Sequence, residues 1–167
     1  MSVNKFEPHL LVLPEDDANR QLVNGFITSP NLNIRAIQVL PVAGGWEIAV
    51  RNFLNEEVQK LRTYNQRRFL LLIDFDGDSE RRNEVSNQIP EDISERVFVL
   101  GVLTEPERLR VMLGMNYEKI GASLANECYR NERKFWAHEL LAHNEAELVR
   151  LNESVRRFLF PKRGASP

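Results

Sequence analysis

The run Phe69-Leu70-Leu71-Leu72-Ile73 passes without a break into Asp74-Phe75-Asp76-Gly77-Asp78, and this junction constrains the fold more than any other feature of the chain. Apolar residues that do not alternate with polar ones belong to a strand covered on both faces, as in a parallel sheet with helices on either side. The run is strand-sized and falls far short of the roughly 20 apolar residues that span a bilayer, so no membrane partner is expected. The abrupt change to acid marks the carboxyl end of the strand, where open parallel sheets collect their ligands.

The rest of the chain alternates short β-like runs with longer helical ones. Residues 9–13 read as the first strand, 34–42 as the second, 69–73 as the third and 97–103 as the fourth. Asp16 or Asp17 caps a helix running to about residue 29, with Leu22, Val23, Phe26 and Ile27 on its inner face. Gly44-Gly45 turns the chain into a helix over 46–64, and a polar helix over roughly 79–88 follows the acidic stretch. Thr104 caps a short helix, with Glu107 three residues on as the other half of a capping box. Beyond Gly114 the pattern is helical, over 117–130 and 145–160. The sequence thus predicts an α/β fold: a Rossmann-like parallel sheet of about four strands flanked by helices, with a helical C-terminal extension. The core spans 1–115, the extension 116–160 packs on it, and 161–167 is a frayed tail.

Composition narrows the partners. The 167 residues fit one domain, with 43% hydrophobic and 28% charged residues. A lone cysteine, Cys128, forms no internal disulfide and no zinc cage, which suits a cytoplasmic protein and a packing role in a helix. Net charge is −2, so no global field draws the chain to nucleic acid. Contacts to phosphate would come from local clusters: Arg67-Arg68, Arg81-Arg82, or Arg156-Arg157 with Lys162-Arg163.

Glu15 follows the first strand and Asp74 the third. If those strands are neighbours, both carboxylates face one crevice, with Asp76 and Asp78 across a turn that Gly77 permits. Two like charges about 4 Å apart repel by roughly 4 kcal/mol at an effective dielectric of about 20. Such a cluster must raise its pKa values, stay solvated, or take up a cation. Hard oxygens at this density suit Mg²⁺, Mn²⁺ or Ca²⁺ rather than zinc or copper. Taken singly, each of these acids reads first as an ordinary loop or capping residue; taken together, three aspartates at alternate positions after a buried strand read as a cation site. Gly44-Gly45 offers N–H groups to a phosphate, or simply a tight turn.

These pieces, Leu13-Pro14-Glu15, Ala43-Gly44-Gly45 and Ile73-Asp74-Phe75-Asp76-Gly77-Asp78, resemble the TOPRIM domain of topoisomerases, bacterial primases and OLD-family nucleases. Thr104-Glu105-Pro106-Glu107 is similar to an acidic segment of the OLD type, which makes Glu105 an auxiliary candidate. The resemblance covers about 9–110. It implies a nuclease or phosphoesterase in which Asp74, Asp76 and Asp78, with Glu15, hold Mg²⁺ (or Mn²⁺), and in which Glu15 is also general acid or base. It further implies nucleic acid as substrate and a separate ATPase as partner. Where the family has a glycine and a second acid after the glutamate, this chain has Asp16 and Asn19; Asp16 or Asp17 is the substitute on offer.

Two other readings stand beside it. A non-catalytic protein of the same fold would use the crevice for binding. Pro14-Glu15-Asp16-Asp17-Ala18-Asn19-Arg20 also looks like the acidic turn of a response-regulator receiver, with Asp74 as phospho-acceptor and Thr104 as its hydroxyl. A receiver needs a fifth strand ending in lysine, and no β-like run follows Leu103. Near the C-terminus, His138 and His143 are five residues apart, wrong for a one-face zinc pair. With Trp136 they read as packing and capping residues, or as phosphate contacts beside Arg133 and Lys134.

Overall fold

In the computed structural model, which describes residues 2–162, four parallel strands form one sheet in the order β2-β1-β3-β4. They are β1 (His9–Pro14), β2 (Ile37–Val39), β3 (Arg67–Leu72) and β4 (Val97–Leu100). All six residues of β1 are buried, as a central strand with helices on both faces requires. Its register sets Leu11 opposite both Gln38 and Phe69. Most of the predicted 161–167 tail lies outside the described residues. No described helix is long and apolar enough to cross a membrane.

The pleat divides the strand side chains between two cores. On one face Leu10, Val12, Leu70, Phe98 and Leu100 meet α1 (Asp17–Phe26), α6 (Tyr117–Arg130) and α7 (Glu145–Leu159). On the other Leu11, Leu13, Phe69, Leu71 and Val99 meet the helix after β2. That helix is α2 (Trp46–Asn52) and α3 (Val58–Thr63), joined by a π turn over Phe53–Glu57. The predicted extension therefore supplies two of the three helices, α6 and α7, that cover the first face. α1 and α6 cross closely through reciprocal glycines: a Cβ on Gly25 would lie 2.0 Å from the Glu118 carbonyl oxygen, and one on Gly121 1.9 Å from that of Leu22. Cys128 is buried in this layer, which pushes its thiol up to about 12.

Several predicted boundaries move. The second strand is three residues long, not nine. Asn33 accepts from the Arg35 amide and starts a 3₁₀ turn over Ile34–Ala36, while Pro41 has no N–H to continue the ladder. The fourth strand stops at Leu100 because the next residue, Gly101, bonds the Asn144 side chain through both its N–H and its C=O. Thr104 is not a helix cap. Pro106 opens α5 (Pro106–Leu113), so Glu105 takes the cap position, Glu107 has no capping box to complete, and the buried Thr104 hydroxyl is left without a partner. α1 ends at Phe26, and α4 (Arg81–Ser86) is shorter than the predicted 79–88.

The open edge of β4 is filled by side chains instead of a fifth strand. Arg150 Nη2 donates to the Val97 carbonyl at 2.5 Å, and Glu147 accepts the Val99 amide at 3.2 Å. Arg82 Nε donates to the Val99 carbonyl at 3.3 Å, and His143 Nε2 to that of Gly101 at 2.8 Å. An exposed ladder of this kind would template a second chain; here polar side chains complete it. Arg82 and His143 are thereby accounted for as structural groups. Arg82 also donates to the His143 carbonyl at 2.8 Å and to Asn144 Oδ1 at 2.6 Å, and lies over the Phe75 ring. Arg82→Ala is expected to lower stability by roughly 2 kcal/mol in urea denaturation, because it strands half-buried acceptors. A loss under about 0.5 kcal/mol, the range of ordinary surface changes, would mean that this edge is held by something else.

Candidate functional site

The β1–β3 ladder fixes the geometry of the crevice. Pro14 lies opposite Leu72, so the residues just beyond, Glu15 and Asp74, leave the sheet side by side. The Glu15 amide still donates to the Leu72 carbonyl at 2.9 Å, and Glu15 Oε2 accepts the Asp74 amide at 2.6 Å. Asp16 caps α1, its Oδ1 accepting from the Asn19 amide at 2.9 Å and from Asn19 Nδ2 at 3.0 Å. The same Nδ2 donates to Asp74 Oδ1 at 2.8 Å. Asp16 and Asp74 are thus joined through one fully buried asparagine, whose Oδ1 has no partner, and Glu15 joins them through the Asp74 amide.

Beyond Asp74 the loop is sewn to the segment after β4. The amides of Phe75, Asp76 and Gly77 donate to the carbonyls of Val102, Thr104 and Leu103 at 3.1, 3.1 and 2.8 Å. Phe75 is buried edge-on to His143 and anchors the loop. Asp76 and Gly77 have φ of 49° and 75°, which turns the chain outward and leaves Asp76 and Asp78 exposed. Arg81 Nη1 spans this turn, donating to the Asp74 carbonyl at 2.8 Å and to Asp76 Oδ2 at 2.6 Å. Its guanidinium carbon lies 4.5 Å from the centre of the Trp46 ring.

The electrostatics follow from burial. Asp74 is 6% exposed, and desolvation, only partly offset by the Asn19 hydrogen bond and reinforced by the charges of Glu15, Asp16 and Asp76, pushes its carboxyl up to about 7. Glu15 is raised as well, by desolvation first, against the Asp74 amide that favours its charged form. Tyr117, at the start of α6, is raised by burial; Arg110 opposes this, while Glu107, Asp16 and Asp74 add to it.

The predicted set is therefore divided. Glu15, Asp16 and Asp74 come together, and Asp76 is near enough for Glu15 and Asp74 to feel its charge while its carboxylate is bound to Arg81. Asp78 accepts the Glu80 amide in a local turn. Asp17 faces solvent, paired with Arg20 and Gln21. The Gly44 amide donates to the Glu15 carbonyl at 2.8 Å, so that N–H is closed to a phosphate, and Gly45 opens α2 without a side-chain cap. Glu105 and Lys134 are exposed, and His138 Nδ1 accepts the Leu140 amide locally; none of the three is hydrogen-bonded to Glu15 or Asp74.

Among the described residues, no group of three or more His, Cys, Asp or Glu side chains is placed to hold a metal ion. The donors that do converge are hard oxygens, and magnesium needs only one or two carboxylates because it keeps several waters. They fit a single hydrated ion rather than a protein cage. Three crevice residues were missing from the sequence-based set, Asn19, Trp46 and Tyr117, whereas Arg81 stood in it as half of an arginine pair for phosphate. Only Asn19 left a signal, as a polar residue on the inner face of α1 three and four positions before Leu22 and Val23.

Between pH 3.8, the ordinary Asp value, and about 7 the folded chain keeps a proton on Asp74 that the unfolded chain has released. The contribution of Asp74 to stability is therefore full below that window and is lost as pH rises through it. Asp74→Asn, which can still accept from Asn19, is expected to gain on the order of 2–4 kcal/mol over wild type at pH 8 in EDTA, and nothing near pH 4. Parallel pH-stability curves for the two proteins would show that Asp74 is charged and solvated.

Comparison of the chain with protein-family models, with curated proteins and with solved structures finds no match in any of the three.

Proposed function

We propose that this chain is a magnesium-dependent phosphodiester hydrolase of the TOPRIM kind, a cytoplasmic nuclease that acts on nucleic acid beside a separate ATPase. The observation that carries the reading is the Glu15–Asp74 pair. Two carboxylates leave adjacent strand ends, Glu15 Oε2 is fixed on the Asp74 backbone amide at 2.6 Å, and burial raises the pKa of both acids. Among the described residues, no lysine or arginine side chain is hydrogen-bonded to either carboxylate. Such a pair is electrostatically unfinished, and a divalent cation completes it.

In this mechanism Asp74 would hold Mg²⁺ (or Mn²⁺), with Asp76 and Asp78 as the further carboxylates available to it. When bound, such an ion would supply polarisation of the phosphoryl oxygen and a lowered pKa for its water. Glu15 keeps Oε2 on the Asp74 amide, which fixes the carboxylate and leaves Oε1 to take or give a proton. Burial shifts its pKa upward, the direction that favours proton uptake by a general base. Asn19 holds Asp74 from the other side, so neither acid rotates away. The buried wall made by Phe75 keeps water from beneath the loop.

A second reading has its own support. Asp76 is engaged by Arg81 and Asp78 by the Glu80 amide, and among the described residues no three-ligand group is assembled. A non-catalytic binding protein of this fold would look the same.

Incubation of DNA and RNA oligonucleotides with millimolar Mg²⁺ or Mn²⁺ separates the readings. Wild type is expected to cleave at least one of them, and Glu15→Gln to be slower by about 10²-fold or more. Cleavage by neither protein would leave the binding reading. Stable phosphorylation of Asp74 by a small phosphodonor would move the assignment to a receiver.

A further inference from the structure

Arg81 occupies a place that the hydrolase reading leaves unexplained. It is the first residue of α4, yet its side chain is only 11% exposed because it folds back over the acidic loop. There it is held by three separate contacts. Nη1 meets the Asp74 carbonyl and Asp76 Oδ2, and the planar face lies over Trp46 from the opposite wall of the crevice. Trp46 follows the Gly44-Gly45 turn, and that turn is bonded to the Glu15 backbone. The guanidinium thus bridges the acidic loop and the Gly-Gly turn above the Glu15–Asp74 pair. Its Nε is buried and has no acceptor, so this packing leaves one of its strong donors unused.

We propose that Arg81 is an internal counter-cation: it holds Asp76 in the unliganded chain, a divalent ion displaces it, and the freed guanidinium then receives a phosphate oxyanion. The inference rests on the hydrolase reading and adds an order of events to it. The chemistry favours the exchange at each stage. Asp76 carries a single carboxylate whose Oδ2 is engaged by Arg81, so a cation that recruits Asp76 competes directly with the guanidinium. A +2 ion set between Asp74 and Asp76 repels the +1 guanidinium beside it, and displacement also releases the unused Nε. Planar guanidinium donors match phosphate oxygens in pairs. Among the described residues no three-carboxylate group is placed for a metal, and the Asp76 carboxylate is engaged by Arg81.

The test uses the full chain with two probes, Mn²⁺ followed by electron paramagnetic resonance and inorganic phosphate followed by calorimetry in saturating Mg²⁺. Arg81→Gln is expected to bind Mn²⁺ about tenfold more tightly than wild type, the worth of one charge-assisted hydrogen bond surrendered. The same variant is expected to bind phosphate at least tenfold more weakly. Arg81→Lys, which keeps the charge without the paired donors, should recover the Mn²⁺ affinity of wild type but not its phosphate affinity. Thermal melting of each variant checks folding, and Arg81→Lys carries the test alone if Arg81→Gln does not fold. Mn²⁺ binding by Arg81→Gln that is equal to wild type, weaker or undetectable overturns the proposal, as does unchanged phosphate affinity. An absence of nuclease activity leaves these readouts intact and bears on the hydrolase reading alone.

Discussion

The site hangs on the bond between the Glu15 carboxylate and the Asp74 amide. A parallel ladder ends by leaving amides and carbonyls of adjacent strands without partners, and here a side chain takes the next rung. The carboxylate extends the β1–β3 pairing by one residue and at the same time fixes itself. That bond brings Glu15 under the desolvating cover that raises it, and it delivers the Asp74 side chain to Asn19. Crevice, electrostatics and chemistry follow from this one junction, which is why the register of two central strands matters more than the length of the outer ones.

The same physics decided what could be read from sequence. β1 and β3 are covered on both faces, so their side chains do not alternate and their apolar runs stand out. β2 is an edge strand, and its neighbours Ile34 and Val42 are apolar yet exposed, which stretched the predicted strand well past its three residues. Thr104 carried a capping-box pattern that Pro106 overrode by fixing where the helix starts. The Gly25–Gly121 crossing joins residues nearly a hundred positions apart, and no local pattern encodes the distance between two helix axes. A role that depends on such distances is invisible until the chain is folded.

For the site the division is similar. Glu15 and Asp74 were legible because strand ends are predictable and adjacent central strands bring them together. The spread of Asp76 and Asp78 was not, because three acids at alternate positions look like one face of an extended segment. The chain instead turns through positive φ at Asp76 and Gly77, which breaks the alternation. Asp76 pays for its unusual backbone with loop contacts to the Thr104 carbonyl and with the Arg81 pair.

Arg81 and Arg82 are neighbours in sequence and have opposite surroundings. Arg82 points to the far edge of the sheet, where the Val99 and His143 carbonyls and Asn144 Oδ1 hold it against Phe75. Arg81 points over the crevice to an exposed carboxylate and an aromatic face. The first set of partners is buried backbone and a buried amide, which cannot be exchanged for water without loss. The second includes a solvent-facing carboxylate whose pairing is worth little in water. Of the two arginines Arg81 is therefore the one with an exchangeable partner, while Arg82 ties the helix start to the sheet edge.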